Sequence, residues 1–179
     1  MIDETRRLVK AEAKLPALLQ GGPAPDDPVE LLACALVAYK QKLYQASVRF
    51  YADAFSKDPA LAAEPASVNR YNGACAAALA GSGQGKDGGS GDETARARWR
   101  RQAREWLRAG LKLSEAELAG GTPESRGRVL RDLEVAQHDP DFAGVRGEEA
   151  LSKLPAAEAA EWRALWKDVA RLLELARAQ

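Results

Sequence analysis

The sequence predicts an all-α protein built from stacked antiparallel helical hairpins. Aromatic residues make up 6% of the 179 residues, and no sustained run alternates β-branched or aromatic residues with polar ones, which disfavours strands. Apolar residues instead recur at helical spacing between Gly- and Pro-rich breakers. In the region 44–59, small residues lie between aromatic ones, and this pattern lets two helices approach closely. We expect about six to eight helices in a single domain spanning 1–179.

The first element is an N-terminal helix over residues 3–20. Asp3 is a suitable N-cap, because its carboxylate can accept hydrogen bonds from the free amides of the first turn. Pro16 lies late in this helix and is expected to kink it or to split off its last turn. The residues that form its apolar stripe are Leu8, Ala11, Leu15 and Leu18.

The next segment, 27–60, forms hairpin 1. Asp26 or Asp27 caps its first helix, and Pro28 suits the first turn. This helix is apolar nearly all round, so it should pack on more than one side. The second helix covers 43–57 and ends at Pro59.

Hairpin 2 is predicted over residues 65–118. Its first helix starts near Pro65 or Ser67. The connection 82–91 is rich in glycine, so we expect a flexible, solvated loop. The second helix follows from about residue 92, with an apolar stripe on one face and arginines opposite.

Two further helices, 122–137 and 155–177, complete the chain. Thr122 caps the first of them, with Pro123 at its first position. A turn at 139–141 and one short helical turn at 148–152 lie between the two. The last helix is amphipathic, and its polar outer face suits the cap of a repeat stack.

Composition and charge exclude several classes of function. The chain carries 26 basic and 26 acidic residues, which gives no general attraction to nucleic acid or to an anionic membrane. No apolar run approaches the roughly 20 residues that a membrane-spanning helix needs, and the N-terminus lacks the apolar core of a signal peptide. Cys34 and Cys75 are expected to be buried free thiols in a reducing cytoplasm.

The segments 44–59 and 70–81 resemble the second and first helices of a tetratricopeptide-type hairpin. Most of the chain also resembles the tetratricopeptide-like region that follows the catalytic domain in many planctomycete-type bacterial serine/threonine protein kinases. That resemblance implies a non-catalytic accessory region for protein association. The segments that carry it, in chain order, are 13–19, 51–55, 70–81, 100–107, 139–146 and 154–166.

Three features imitate reaction centres. The glycine spacing of 83–88 matches a dinucleotide-binding motif, but a helix precedes it where that motif needs a strand. Residues 130–137 imitate a kinase catalytic loop, with Leu130 in place of the histidine. His138 is the single histidine, and its place at a helix end suits capping better than metal binding. We predict no catalytic residue, no cofactor and no metal site.

The resemblance implies a concave face formed by the first helix of each hairpin. A clamp for a C-terminal carboxylate is not expected, because Leu32 and Leu36 replace its basic residues and only Asn72 matches. The groove would be apolar, and either an amphipathic partner helix or the chain's own terminal helix could fill it. Asn72 could equally form hydrogen bonds inside the fold. The predicted outward positions are Val29, Leu32, Leu36, Tyr39, Tyr71, Asn72, Cys75 and Leu79.

A second candidate surface is the arginine face of the helix after the glycine loop. It could bind an acidic partner or phosphate groups, or it could simply be solvated. The residues on this face are Arg100, Arg101, Arg104 and Arg108.

The leading functional hypothesis is a non-enzymatic protein–protein interaction or scaffolding module related to bacterial serine/threonine kinases. One alternative is a small-molecule sensor that uses an apolar pocket around Leu36, Tyr71 and Cys75. Another is a structural oligomerisation unit that associates through Trp162 and Trp166.

Overall fold

The computed structural model describes residues 2–64, 68–88 and 92–178. Over these residues the chain forms nine α-helices, one 3-10 helix and no strand. The all-α fold class is therefore confirmed, with more helices than expected because short helices form in segments that read as turns. The helices are α1 Ile2–Leu19, α2 Pro28–Lys40, α3 Tyr44–Lys57, α4 Ala60–Ala63, α5 Asn69–Gly81, α6 Glu93–Gly120, α7 Pro123–His138, the 3-10 helix Pro140–Val145, α8 Glu148–Leu151 and α9 Ala156–Ala178.

The chain divides into two compact units, Met1–Ala103 and Arg104–Gln179. Unit 1 contains α1 to α5 and the first part of α6, and unit 2 contains the rest of α6 and all later helices. The single domain predicted over 1–179 stays a prediction.

In unit 1, α1 packs against α2 through Ala11 and Leu15, which are 0% and 1% exposed. No last turn separates at Pro16, because the helix continues through this residue to Leu19. Lys14 on α1 forms an ion pair with Glu30 on α2.

The α2–α3 hairpin forms as predicted. Asp27 caps α2 by accepting a hydrogen bond of 2.9 Å from the Val29 amide. In the turn after α2, Lys42 adopts a left-handed backbone conformation with a φ of 62°. The helices α2 and α3 pack against each other. The Ser47 hydroxyl donates to the Ala35 carbonyl at 2.8 Å, so a small residue on α3 brings the two backbones close together.

The helix α5 forms where hairpin 2 was predicted, and it packs mainly against α3. The predicted starts at Pro65 and Ser67 lie outside the described residues. Within unit 1, α5 meets α6 where Gly81 approaches Arg100. The pairing of α5 with α6 as a second hairpin, and tetratricopeptide-type stacking in general, stay predictions.

In unit 2, α7 packs against α9 around a core that includes Val129, Phe142, Val145 and Trp162. Thr122 caps α7 as predicted, with its hydroxyl oxygen accepting from the Ser125 amide at 3.3 Å. The turn predicted at 139–141 is the start of the 3-10 helix. Among the described helices, none combines the length and the apolar character that crossing a membrane requires.

Candidate partner-binding face

The candidate partner-binding face is a row of apolar side chains on α2, formed by Val29, Leu32, Leu36 and Tyr39. At 100° per residue these positions fall within an arc of about 80°, and all four are partly exposed. The other sides of α2 are buried at Leu31, Ala33, Cys34, Ala35, Val37 and Ala38. The helix is therefore packed on more than one side, as predicted, and still presents an apolar row to solvent.

The contribution of α5 to this face is smaller than the sequence predicted. Tyr71 and Asn72 in its first turns are partly exposed, whereas Cys75 and Leu79 are each 4% exposed. Cys75 and Leu79 are therefore not exposed to solvent as outward positions would be, because α5 is buried continuously from Gly73 to Gly81.

Asn72 forms a hydrogen bond inside the fold. Its side chain bonds the phenol of Tyr51 on α3, and Tyr51 is 2% exposed. Burial raises the pKa of Tyr51 to about 12, and the hydrogen bond from Asn72 lowers this pKa only in part. Asn72 therefore joins α5 to α3, and it is the residue of the predicted face with the clearest structural role.

The predicted arginine face does not remain fully solvated. Arg101 and Arg108 are exposed, but Arg100 and Arg104 are 3% and 8% exposed. In unit 1, Arg100 donates to the Gly81 carbonyl at 2.9 Å and to Glu93 at 2.6 Å. The expectation of a continuous solvated face is thus wrong for Arg100 and Arg104, since helical periodicity identifies a face and not what covers it.

In unit 2, Arg104 is held by the last helix. It forms an ion pair with Glu161 and lies 4.0 Å from Glu158, and its guanidinium carbon is 5.6 Å from the centroid of the Trp162 ring. The Arg104 side chain therefore has its partners within unit 2. Arg101 and Arg108 are the exposed arginines of the predicted set.

Of the two tryptophans proposed for oligomerisation, Trp162 belongs to the core of unit 2 and Trp166 is partly exposed. Trp162 is 0% exposed. The indole N–H of Trp166 donates to the Val145 carbonyl at 2.8 Å, and its ring meets Phe142 edge-on with centroids 5.6 Å apart. Both rings therefore have partners within their own unit.

The three motifs that imitate reaction centres lie within a helix, at the end of a helix and in the segment after a helix. Residues 130–137 lie within α7. His138 ends that helix, and its Nδ1 donates to the Glu134 carbonyl at 2.9 Å, as expected of a residue at a helix end. The glycine motif follows α5, and within it residues 85–87 contact the α2–α3 turn and the start of α3. Residues 89–91 of that loop lie outside the described residues.

A cleft of about 450 Å³ lies beside this glycine loop in unit 1. Its wall includes Gln45, Asp87 and Arg96. The charged groups already bind protein atoms, because Asp87 accepts hydrogen bonds from the start of α3 and Arg96 lies 3.8 Å from Glu93. The cleft therefore offers no ligand class that the geometry selects.

Sequence reasoning missed the role of Asp87. The residues before α3 are Gln41, Lys42 and Leu43, and Leu43 at the N-cap has no polar side-chain atom. Helix N-termini favour Ser, Thr, Asp or Asn at this position. The absence of such a residue before α3 was the available signal that a cap must come from elsewhere in the chain.

The chain was compared with protein-family models, with curated proteins and with solved structures, and none of these comparisons finds a match.

Proposed function

We propose that this chain is a non-enzymatic protein–protein interaction module. The observation that supports the proposal best is the apolar row on α2, where Leu32, Leu36 and Tyr39 are partly exposed while the other sides of the helix are buried between residues 31 and 38. An amphipathic helix binds other proteins by laying its apolar face against a row of this kind. Tyr71 on α5, another position of the face predicted from the sequence, is also partly exposed.

The class of partner follows from the resemblance described above. We propose an accessory or scaffolding role beside a bacterial serine/threonine kinase in the cytoplasm, with an amphipathic helix as the bound element. The apolar character of Leu32 and Leu36, where a carboxylate clamp needs basic residues, favours a helix over a free C-terminus.

The test is affinity capture from an extract of the source cells, with the full chain as bait and quantitative mass spectrometry as the readout. A Leu32→Glu, Leu36→Glu double variant places two charges on the α2 row. Val9→Glu is the matched control, because Val9 is an apolar residue of α1 that is 62% exposed. Circular dichroism of each variant verifies that the helices are retained.

The proposal predicts that proteins retained by the native chain and by Val9→Glu are lost with the double variant. A kinase, or a protein encoded beside one, should be among them. Retention of the same proteins by all three baits would contradict the assignment of the face to α2.

A further inference from the structure

The glycine-rich segment after α5 makes a specific set of contacts with the turn between α2 and α3. The Lys86 amide donates to the Lys42 carbonyl at 2.8 Å. Asp87 accepts from the Ala46 amide at 2.9 Å and from the Gln45 amide at 3.3 Å. Segments some 40 residues apart in sequence are thereby joined, with a separation of 41 residues between Asp87 and Ala46.

Asp87 supplies the cap that α3 lacks. Gln45 and Ala46 are the second and third residues of α3, and their amides are the ones that an N-cap side chain normally satisfies. A carboxylate at this position also interacts favourably with the positive end of the helix dipole. The hydrogen bonds that a local Ser, Thr or Asp would accept are accepted here by a residue on another loop.

The glycines of the segment allow this close approach. Gly85 has a φ of +102°, and a Cβ at this position would lie 2.8 Å from the Tyr44 ring and 2.9 Å from the Lys42 carbonyl oxygen. Tyr44 in turn contacts Tyr39 of α2, with ring centroids 5.5 Å apart. Gly83 also has a positive φ, +73°, but a Cβ there would come no nearer than 3.5 Å, to the Arg96 side chain.

The same segment is anchored to the end of α5. The Ser82 hydroxyl donates to the Ala78 carbonyl at 2.8 Å, and the Gln84 amide donates to the Leu79 carbonyl at 3.0 Å. One short stretch of chain therefore binds the last turn of α5 on one side and the turn after α2 on the other.

We propose that residues 83–87 are a clasp, which fastens the α2–α3 turn to the end of α5 and opens as one unit. The clasp holds the C-terminal ends of α2 and α5 beside each other and completes the first turn of α3. This proposal is independent of the function proposed above, since it depends on the contacts of Gly85, Lys86 and Asp87 and not on the apolar row of α2.

Amide hydrogen exchange measured by NMR on the full chain tests the clasp. In Asp87→Ala, exchange of the Gln45, Ala46 and Lys86 amides should accelerate together, by about five- to tenfold. In Asp87→Asn, the acceleration should be smaller than in Asp87→Ala, because the asparagine oxygen can still accept one of the two hydrogen bonds, whereas its amide nitrogen cannot accept the other.

Asp92→Ala is the matched control. Asp92 is a carboxylate that caps its own helix, accepting from the Thr94 and Ala95 amides at 3.0 and 3.2 Å. Its replacement should accelerate exchange at Thr94 and Ala95 and leave Gln45 and Ala46 unchanged. Equal acceleration at Gln45 by Asp87→Ala and by Asp92→Ala would overturn the proposal.

Limited trypsin digestion provides a second readout. Lys42 is exposed within the turn that the clasp covers, and cleavage after it should increase several-fold in Asp87→Ala and in Gly85→Ala. Gly83→Ala shares the demand for a positive φ but not the contact with the turn, so its effect should be smaller. If Lys42 cleavage and Lys86 exchange match the native chain in Asp87→Ala, Asp87 is a helix cap only and the clasp is disproved.

Discussion

The Arg104 guanidinium lies over the ring of Trp162 in unit 2, with 5.6 Å between its carbon and the ring centroid. Arg104 is 8% exposed and Trp162 is fully buried. The ion pair with Glu161 completes the surroundings of the cation. A residue that helical periodicity assigns to a solvated face is thus part of the core that holds α9.

Replacing Arg104 by alanine should therefore destabilise the chain. The change removes a cation–π contact and leaves Glu158 and Glu161 without this guanidinium, at an expected cost of about 2 kcal/mol in the free energy of unfolding. Urea denaturation followed by circular dichroism measures the effect. Arg101→Ala, an exposed neighbour on the same helix, should change the value by less than about 0.5 kcal/mol. Equal effects from the two variants would argue against a core role for Arg104.

Tyr51 should make stability fall at high pH. The pKa of Tyr51 is raised to about 12 by burial, whereas an unfolded tyrosine ionises near pH 10. The stabilising contribution is complete below pH 10 and is lost as the pH rises toward 12, because the unfolded state alone ionises in this window. The loss is about 2–3 kcal/mol at pH 12. Denaturation at a series of pH values should give a shallower decline for Tyr51→Phe, and an unchanged slope would refute the assignment.

Cys34 should be unreactive in the folded chain. It is 0% exposed, and burial raises the pKa of its thiol above the usual value, so little thiolate forms at pH 8. Thiol reagents attack the thiolate. Labelling with a chromogenic disulfide at pH 8 should be at least about a hundredfold slower in buffer than in urea, given that accessibility and ionisation both oppose the reaction. Rapid labelling in buffer, located at Cys34 by peptide mapping, would be inconsistent with the packing of α2.

Gly81→Ala and Gly110→Ala should have opposite effects on stability. A Cβ at Gly81 would lie 2.8 Å from the backbone nitrogen of Arg100, whereas a Cβ at Gly110 would have no atom within 4 Å. We expect Gly81→Ala to destabilise by about 1–3 kcal/mol through the forced separation of α5 and α6. Gly110→Ala should stabilise by about 0.5–1 kcal/mol, because alanine favours a helix interior more than glycine does. Thermal melting of both variants tests the pair, and the prediction fails if the two melting temperatures shift in the same direction.

Much of the fold could be predicted because the residues that begin or end a helix lie within a few positions of its ends. Asp27 and Thr122 cap the helices that follow them, and each cap acts within a single turn of its own helix. The pattern of small and large residues in α2 and α3 likewise predicted a close hairpin, which the Ser47–Ala35 hydrogen bond confirms. These features depend on residues only a few positions apart, or on two helices joined by a short turn.

The candidate site could be predicted only in part. The exposed row on α2 agrees with the predicted outward positions, but Cys75 and Leu79 on α5 are buried. A period of 3.6 residues identifies which side chains share a helix face. It carries no information about which neighbouring helix covers that face, so the exposure of Cys75 and Leu79 depended on packing that the pattern does not encode.

The sequence alone determined the helical class of this protein, the ends of its longer helices and the apolar row of α2, because capping, proline placement and periodicity act over one or two turns. The tertiary structure decided that Asp87 completes α3 and that Arg100 and Arg104 are buried. Those outcomes depend on contacts between segments distant in the chain. The free energy of such a contact depends on what the folded chain places beside each side chain, and no local pattern specifies that neighbour.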